Sequence, residues 1–136
     1  MTQEYTLTEI KIRGYHLDAY RHVNNARYLE LMEEARWDYL DSVEALRFFD
    51  AENLAFVVVN ININYKYPAT QGDVLVIKTF PSKKGNTSWV FTQIGTLKGS
   101  EKEVFNADVT FVLIDSSTGK PVRVTSEMEK HLLPNL

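Results

Sequence analysis

Apolar residues recur along this chain with two different periods. Thr6, Thr8, Ile10 and Ile12 alternate with their neighbours, and that period of two predicts a strand within Glu4–Arg13. Gly14 interrupts it, and residues 14–23 read as a loop. The period then lengthens: Tyr28, Leu29, Met32, Ala35, Tyr39, Leu40 and Val43 fall mostly three or four apart. No glycine or proline occurs between Val23 and Glu52. The spacing predicts a helix over 25–46, about six turns long. Asn24 is its expected N-cap, with Asn25 the adjacent alternative.

Past Asn53 the period returns to two. In segment 56–67, Val57, Val59, Ile61, Ile63, Tyr65 and Tyr67 take one side, while Asn60, Asn62, Asn64 and Lys66 take the other. Further strands are expected at 73–80, 87–97, 104–114 and, shorter, 122–124. Turns are expected at 81–86, 97–102 and 115–121. Phe105, Ala107, Val109, Phe111 and Leu113 share one face, and Ser126 is positioned to cap a last short helix. A strand, one long helix and then a meander describe an α+β fold. An antiparallel sheet of about five strands would cover one long helix in two layers. The asparagine face of the sheet is expected to be wet or covered by another subunit.

Composition narrows the function. The 136 residues suit a single domain, 1–136, able to bury a core without metals or disulfides. Fifteen basic and eighteen acidic side chains leave a net charge of −3, without the basic excess of nucleic-acid binders. The lack of cysteine removes disulfides, thiol catalysis and cysteine metal sites, and is compatible with a reducing compartment. No apolar leader and no long apolar run are visible, so the cytoplasm is the expected location and no membrane partner is expected. His16, His22 and His131 lack a metal-ligand spacing, and neither metal nor cofactor is expected.

The candidate chemistry sits in residues 13–36, RGYHLDAYRHVNNARYLELMEEAR. Asp18, His22, Asn24 and Asn25 fall within eight positions, directly before the helix. A helix start offers unpaired N–H groups and partial positive charge. A carboxylate beside it offers a base or a nucleophile. The bland alternative is that Asp18 shapes a turn and Asn24 only caps the helix. His22 is open between orienting water, bonding the Asp18 carboxylate, contacting a substrate and holding the turn. Glu34 and Arg36 read as structural or interface residues.

The segment Asp18-Ala-Tyr-Arg-His22-Val-Asn24-Asn25-Ala-Arg-Tyr28-Leu29 resembles acyl-CoA thioesterases of the 4-hydroxybenzoyl-CoA thioesterase superfamily. Their hot-dog fold wraps a sheet around a long central helix. The wider blocks 13–37 and 55–65 resemble the bacterial long-chain acyl-CoA thioesterases of that superfamily. The resemblance covers most of the chain and is strongest over 13–67. It implies hydrolysis of acyl-CoA to a fatty acid and coenzyme A. Asp18 becomes the catalytic acid, as general base or nucleophile, and the backbone N–H of Asn25 the oxyanion donor. Asn24, Tyr28 and Met32 become candidates for contact with substrate. Lys83, Lys84, Lys98 and Lys102, in two turns, become candidates for the coenzyme A phosphates. The resemblance also implies a homodimer or a tetramer (a dimer of dimers), with the Asn60–Tyr65 strand of a second chain near the site. Two rivals of the same fold remain. One is a hydratase or dehydratase acting on acyl-CoA or acyl-carrier-protein; the other is a non-catalytic acyl-binding protein.

Overall fold

The computed structural model describes residues 5–132. Its sheet has five strands: β1 (Thr6–Lys11), β2 (Leu54–Tyr65), β3 (Val74–Lys84), β4 (Ser88–Leu97) and β5 (Glu103–Asp115). They are antiparallel throughout, in the spatial order β1-β3-β4-β5-β2. Helix α1 (Asn25–Ser42) buries Tyr28, Leu31, Met32, Ala35, Tyr39 and Leu40. The short helices α2 (Ala45–Ala51) and α3 (Ser126–Leu132) follow α1 and β5. This is the α+β arrangement that the periodicity predicts, one sheet against one long helix.

The strand faces follow the period of two where the strands are regular. Phe105, Ala107, Val109, Phe111 and Leu113 of β5 are all buried. On β1, Thr6 and Thr8 are buried and Leu7 is exposed, and Ile12, just past the strand, is buried as well. The Thr8 hydroxyl donates to Asp38 Oδ2 of α1 at 2.6 Å, so a polar strand residue is satisfied against the helix.

Five expectations need correction. The helix expected over 25–46 ends at Ser42, because Glu44 takes a left-handed conformation (φ 54°) and α2 starts in a new direction. In β2 the pairing register shifts between Val58 and Asn60. Val58 lies opposite buried Phe111 and Ile61 opposite buried Val109, so Phe56, Val58, Ile61, Ile63 and Tyr65 share the inner face. Val57 and Val59, expected on that face, are exposed. Strand β3 runs on through Pro81 to Lys84 instead of turning at 81. The β1 pairing ends at Thr6↔Thr79, so among the described residues Pro81 has an unpaired edge on that side, where a missing N–H costs no ladder bond. Segment 122–124 is no strand. It is tied by single bonds, Val122 N–H to Leu113 and Val124 N–H to Asn86. Helix α3 is capped one residue earlier than expected, by the Thr125 hydroxyl, which accepts from the Met128 N–H at 3.3 Å.

Candidate active site

Asn24 starts α1 as its sequence suggests. Its backbone is extended and its Oδ1 accepts from the Ala26 N–H at 2.9 Å. The Asn24 N–H donates in turn to the His16 carbonyl at 2.9 Å. The Asn25 N–H finds no acceptor among the described residues. It is one of the donors that every helix start leaves over.

Asp18 sits on a small loop closed by a bridge between Leu17 and Val23. Its Oδ1 accepts from the Tyr20 N–H (2.8 Å) and the His22 N–H (3.2 Å). Its Oδ2 has no partner among the described residues. One oxygen therefore builds the turn and the other takes no part in it. Arg21 forms the loop tip at φ 66°. Its carbonyl accepts from the Thr70 hydroxyl at 2.8 Å, and Val23 donates to the Ala69 carbonyl at 2.9 Å. The loop is thus pinned from both ends against residues 69–70.

Asp18, His22, Asn25 and Tyr28 line one cleft of about 270 Å³. Its far wall is Tyr65, Lys66, Tyr67 and Pro68. That wall comes from the end of β2, 40 positions from Asn25, in the same chain, whereas the expectation was a strand of a second chain. Tyr65 donates its hydroxyl to the Asn25 carbonyl at 3.1 Å. Tyr28 is buried, with its ring against Tyr65 and Phe105, and its hydroxyl oxygen accepts from the Ala69 N–H at 3.2 Å. Burial raises its pKa above the usual tyrosine value, so it stays a neutral wall. Lys66 pairs with Glu103 at 2.7 Å and holds that carboxyl below its ordinary pKa.

The remaining candidates lie elsewhere. Asn24 does not line the cleft, because its side chain is engaged in the cap. Met32 is fully buried, one turn deeper, and its carbonyl accepts from Gln93 Nε2. His22 reaches Asp18 through its backbone N–H; its imidazole makes no bond to the carboxylate. Lys84 is paired with Glu129 and Lys98 with Glu9, and Lys102 lies over the Tyr67 ring. Lys98 and Lys102 border a second groove, of about 400 Å³, that shares Tyr67 with the Asp18 cleft. His16, weighed in the sequence only as a metal ligand, is buried, and its Nδ1 accepts from the Arg13 N–H at 2.9 Å. Among the described residues no cluster of histidine and acidic side chains could hold a metal ion.

A carboxyl oxygen and a helix N–H, both without partners and on residues lining one cleft, suit attack on a carbonyl followed by capture of the resulting oxyanion. Residues 12–132 match the family described as the thioesterase-like superfamily. The chain is 47% identical to the long-chain acyl-CoA thioesterase FadM of Escherichia coli K12, over 92% of this chain and 95% of that one. It is 35% identical to the acyl-CoA thioester hydrolase YbgC of Escherichia coli O6:H1, over 85% and 88%. The crystal structure of the probable thioesterase YbaW of Escherichia coli superposes with a TM-score of 0.88 at 47% identity, covering 93% of this chain and 95% of that one. A 1,4-dihydroxy-2-naphthoyl-CoA thioesterase from Synechocystis shares the fold alone, with a TM-score of 0.84 at 16% identity and 97% of each chain covered. The chain belongs to the thioesterase-like superfamily and has its hot-dog fold.

Proposed function

We propose that this enzyme hydrolyses acyl-CoA thioesters, long-chain ones in particular, to a fatty acid and coenzyme A. The observation that carries the mechanism is that Asp18 Oδ2 and the Asn25 N–H are both unpaired and line the same cleft. A thioester carbonyl is electrophilic because sulfur donates poorly into it. Water adds to the carbonyl carbon while Asp18 takes its proton. The carbonyl oxygen, now negative, accepts from the Asn25 N–H in the positive field of the α1 N-terminus. The oxyanion then collapses, the C–S bond breaks, and the thiolate leaves as coenzyme A and takes up a proton. If Asp18 attacks directly, the same oxyanion forms and a mixed anhydride is hydrolysed in a second step. A single turnover in H₂¹⁸O distinguishes the routes. Label found in the Asp18 carboxylate is the mark of direct attack.

Tyr28 and Tyr65 wall the acyl side of the cleft, and the thioesters approach from the Tyr67 side, where Lys66 and Lys102 lie nearest. Strand β2 is a sheet edge of twelve residues with Val57, Val58 and Val59 exposed. Its unpaired backbone and apolar side chains favour pairing with β2 of a second copy. A homodimer formed this way brings a second chain beside the cleft, and two such dimers make a tetramer. Among the described residues no helix is long and apolar enough to cross a membrane. Residence in the cytoplasm is part of the same proposal.

The direct test is release of free thiol from a panel of acyl-CoA chain lengths. Turnover that rises toward long chains supports the reading. A preference for short or aromatic thioesters overturns the long-chain part, and water addition to an enoyl-CoA without thiol release overturns the reaction class.

A further inference from the structure

The Asp18 loop carries backbone strain at its tip. Arg21 is left-handed (φ 66°), a conformation that its Cβ disfavours. Its N–H donates to the Asp18 carbonyl at 3.1 Å, which closes the loop from inside. Its carbonyl is held from outside, by the Thr70 hydroxyl at 2.8 Å. Thr70 is itself placed by two bonds to Asp73. Its N–H donates to Asp73 Oδ2 at 2.8 Å, and its carbonyl accepts from the Asp73 N–H at 3.1 Å. Both use the Thr70 backbone and leave the hydroxyl for the loop. Thr70 does not line the cleft that holds Asp18.

The Thr70 hydroxyl reaches the carboxylate through a single peptide unit. The carbonyl that it holds belongs to the Arg21–His22 peptide. The N–H of that same peptide donates to Asp18 Oδ1 at 3.2 Å. A trans peptide is planar, with its C=O and N–H on opposite sides. Fixing the direction of the carbonyl therefore fixes the direction of the N–H. If the plane turned, the His22 N–H would leave Oδ1, and only the Tyr20 N–H, at 2.8 Å, would hold the carboxylate. Two donors on one oxygen fix where the other oxygen points; one donor leaves the carboxyl group free to turn about it. Chained hydrogen bonds also polarise one another, so donation into the Arg21 carbonyl strengthens the His22 N–H as a donor.

We infer that Thr70 is a positioning residue for the reaction: its hydroxyl, through the Arg21–His22 peptide, aims the unpaired Oδ2 of Asp18 at the thioester. The inference rests on the catalytic reading of Asp18. Thr70 acts from one peptide away, so its effect falls on the chemical step and not on binding. A misplacement of about 1 Å that originates outside the reacting groups is enough to slow a reaction by about 10²-fold.

Thr70→Val keeps the shape and both backbone bonds to Asp73 and removes only the hydroxyl. Thr70 is exposed, so the variant is expected to melt close to the wild type. Thr70→Ala takes its place if it does not fold. In thiol release, kcat is expected to fall about five- to tenfold, as the loss of one hydrogen bond implies, with KM within about twofold. Thr70→Ser, which restores the hydroxyl, is expected to return kcat to within about twofold of the wild type. A second readout needs no turnover. In ¹H–¹⁵N spectra the His22 amide proton is expected to move upfield in Thr70→Val, as its bond to Asp18 weakens, and to return in Thr70→Ser. An unchanged kcat, a loss carried by KM alone, no recovery in Thr70→Ser or an unmoved His22 amide overturns the proposal. Asp18→Asn in the same assay separates the two ideas. If it loses about 10²-fold or more while Thr70→Val loses nothing, the positioning role alone falls and Asp18 keeps its own. If Asp18→Asn keeps its activity, the catalytic reading of Asp18 falls and the proposal falls with it.

Discussion

The Tyr65 hydroxyl donates to the Asn25 carbonyl at 3.1 Å, tying the last residue of β2 to the first residue of α1. The peptide unit that it holds is the one following the free Asn25 N–H. The bond therefore fixes the sheet edge against the helix start at the point where the oxyanion would form. Tyr65→Phe removes the bond and keeps the ring contact with Tyr28. One hydrogen bond at a half-exposed site is worth about 0.5–1.5 kcal/mol. The variant is expected to melt close to the wild type and to lose about three- to tenfold in kcat/KM, read by thiol release. An unchanged kcat/KM would mean that the helix start is held without it.

Asp18→Asn tests the carboxylate with little change in shape. An asparagine Oδ1 still accepts from the Tyr20 and His22 N–H groups, so the loop is expected to keep its turn. What is lost is the ionised Oδ2. Thiol release is expected to fall by about 10²–10⁴-fold, the usual contribution of a general base. A loss of less than about threefold, with the melting temperature unchanged, ends the catalytic role.

Legibility in the sequence followed regularity. The inner faces of β1 and β5 were readable because nothing disturbs their period of two. The inner face of β2 was readable only beyond Asn60, because the bulge at Val58–Asn60 changes which side each valine faces and leaves no mark in composition. The end of α1 was hidden for a related reason. Glu44 takes a left-handed backbone without a glycine or proline to announce it. In the site, Asp18 and Asn25 were legible because they are neighbours in the chain. Lys66 and Tyr67 were not, because only the fold brings the end of β2 to the start of α1, and Tyr65 was expected from a second chain where this chain's own Tyr65 lies. Arg36 read as a structural or interface residue; its burial and its bond to Gln93 exist only in three dimensions.

His16 makes stability depend on pH. Burial first, then nearby Arg27, lowers its pKa from 6.5 in the folded chain. The unfolded chain binds the proton at a higher pH, so this contribution to stability is fully present above about pH 6.5. It is lost progressively as pH falls below that value toward the lower folded pKa. His16 Nδ1 accepts from the Arg13 N–H, which a protonated ring cannot do. Melting temperatures are expected to drop between pH 7.5 and 5.5, and less steeply in His16→Asn, an uncharged acceptor. Parallel pH curves for the two proteins would remove His16 as the cause.

The β2 edge makes a prediction about assembly. Val58 is 41% exposed in the single chain, and its two neighbours Val57 and Val59 are exposed with it. If β2 pairs with β2 of a second copy, a charge there meets its own image across the symmetry axis or is buried without a partner. Val57→Lys, at the exposed sheet edge, is expected to weaken the dimer, read by light scattering after gel filtration. The melting temperature of the monomer then reports whether the fold stands alone. A dimer unchanged at micromolar concentration would place the interface elsewhere.

Gly95 of β4 controls the cleft from behind. A Cβ built on it would overlap the edge of the Phe105 ring at Cε1 and Cδ1. Phe105 is fully buried, and its ring packs on Tyr28 at 5.6 Å, which in turn walls the Asp18 cleft. Gly95→Ala must therefore push Phe105 toward Tyr28 or bend β4. Overpacking of this kind costs about 1–3 kcal/mol, read as a lowered denaturation midpoint. Because the displaced ring leans on Tyr28, kcat/KM is expected to fall as well. The paired change Gly95→Ala with Phe105→Leu gives the new methyl group room. It is expected to recover part of the stability, while the cleft, having lost the ring behind Tyr28, recovers less of its activity. Full stability in Gly95→Ala alone would mean that β4 yields at this position and that Phe105 does not need the glycine.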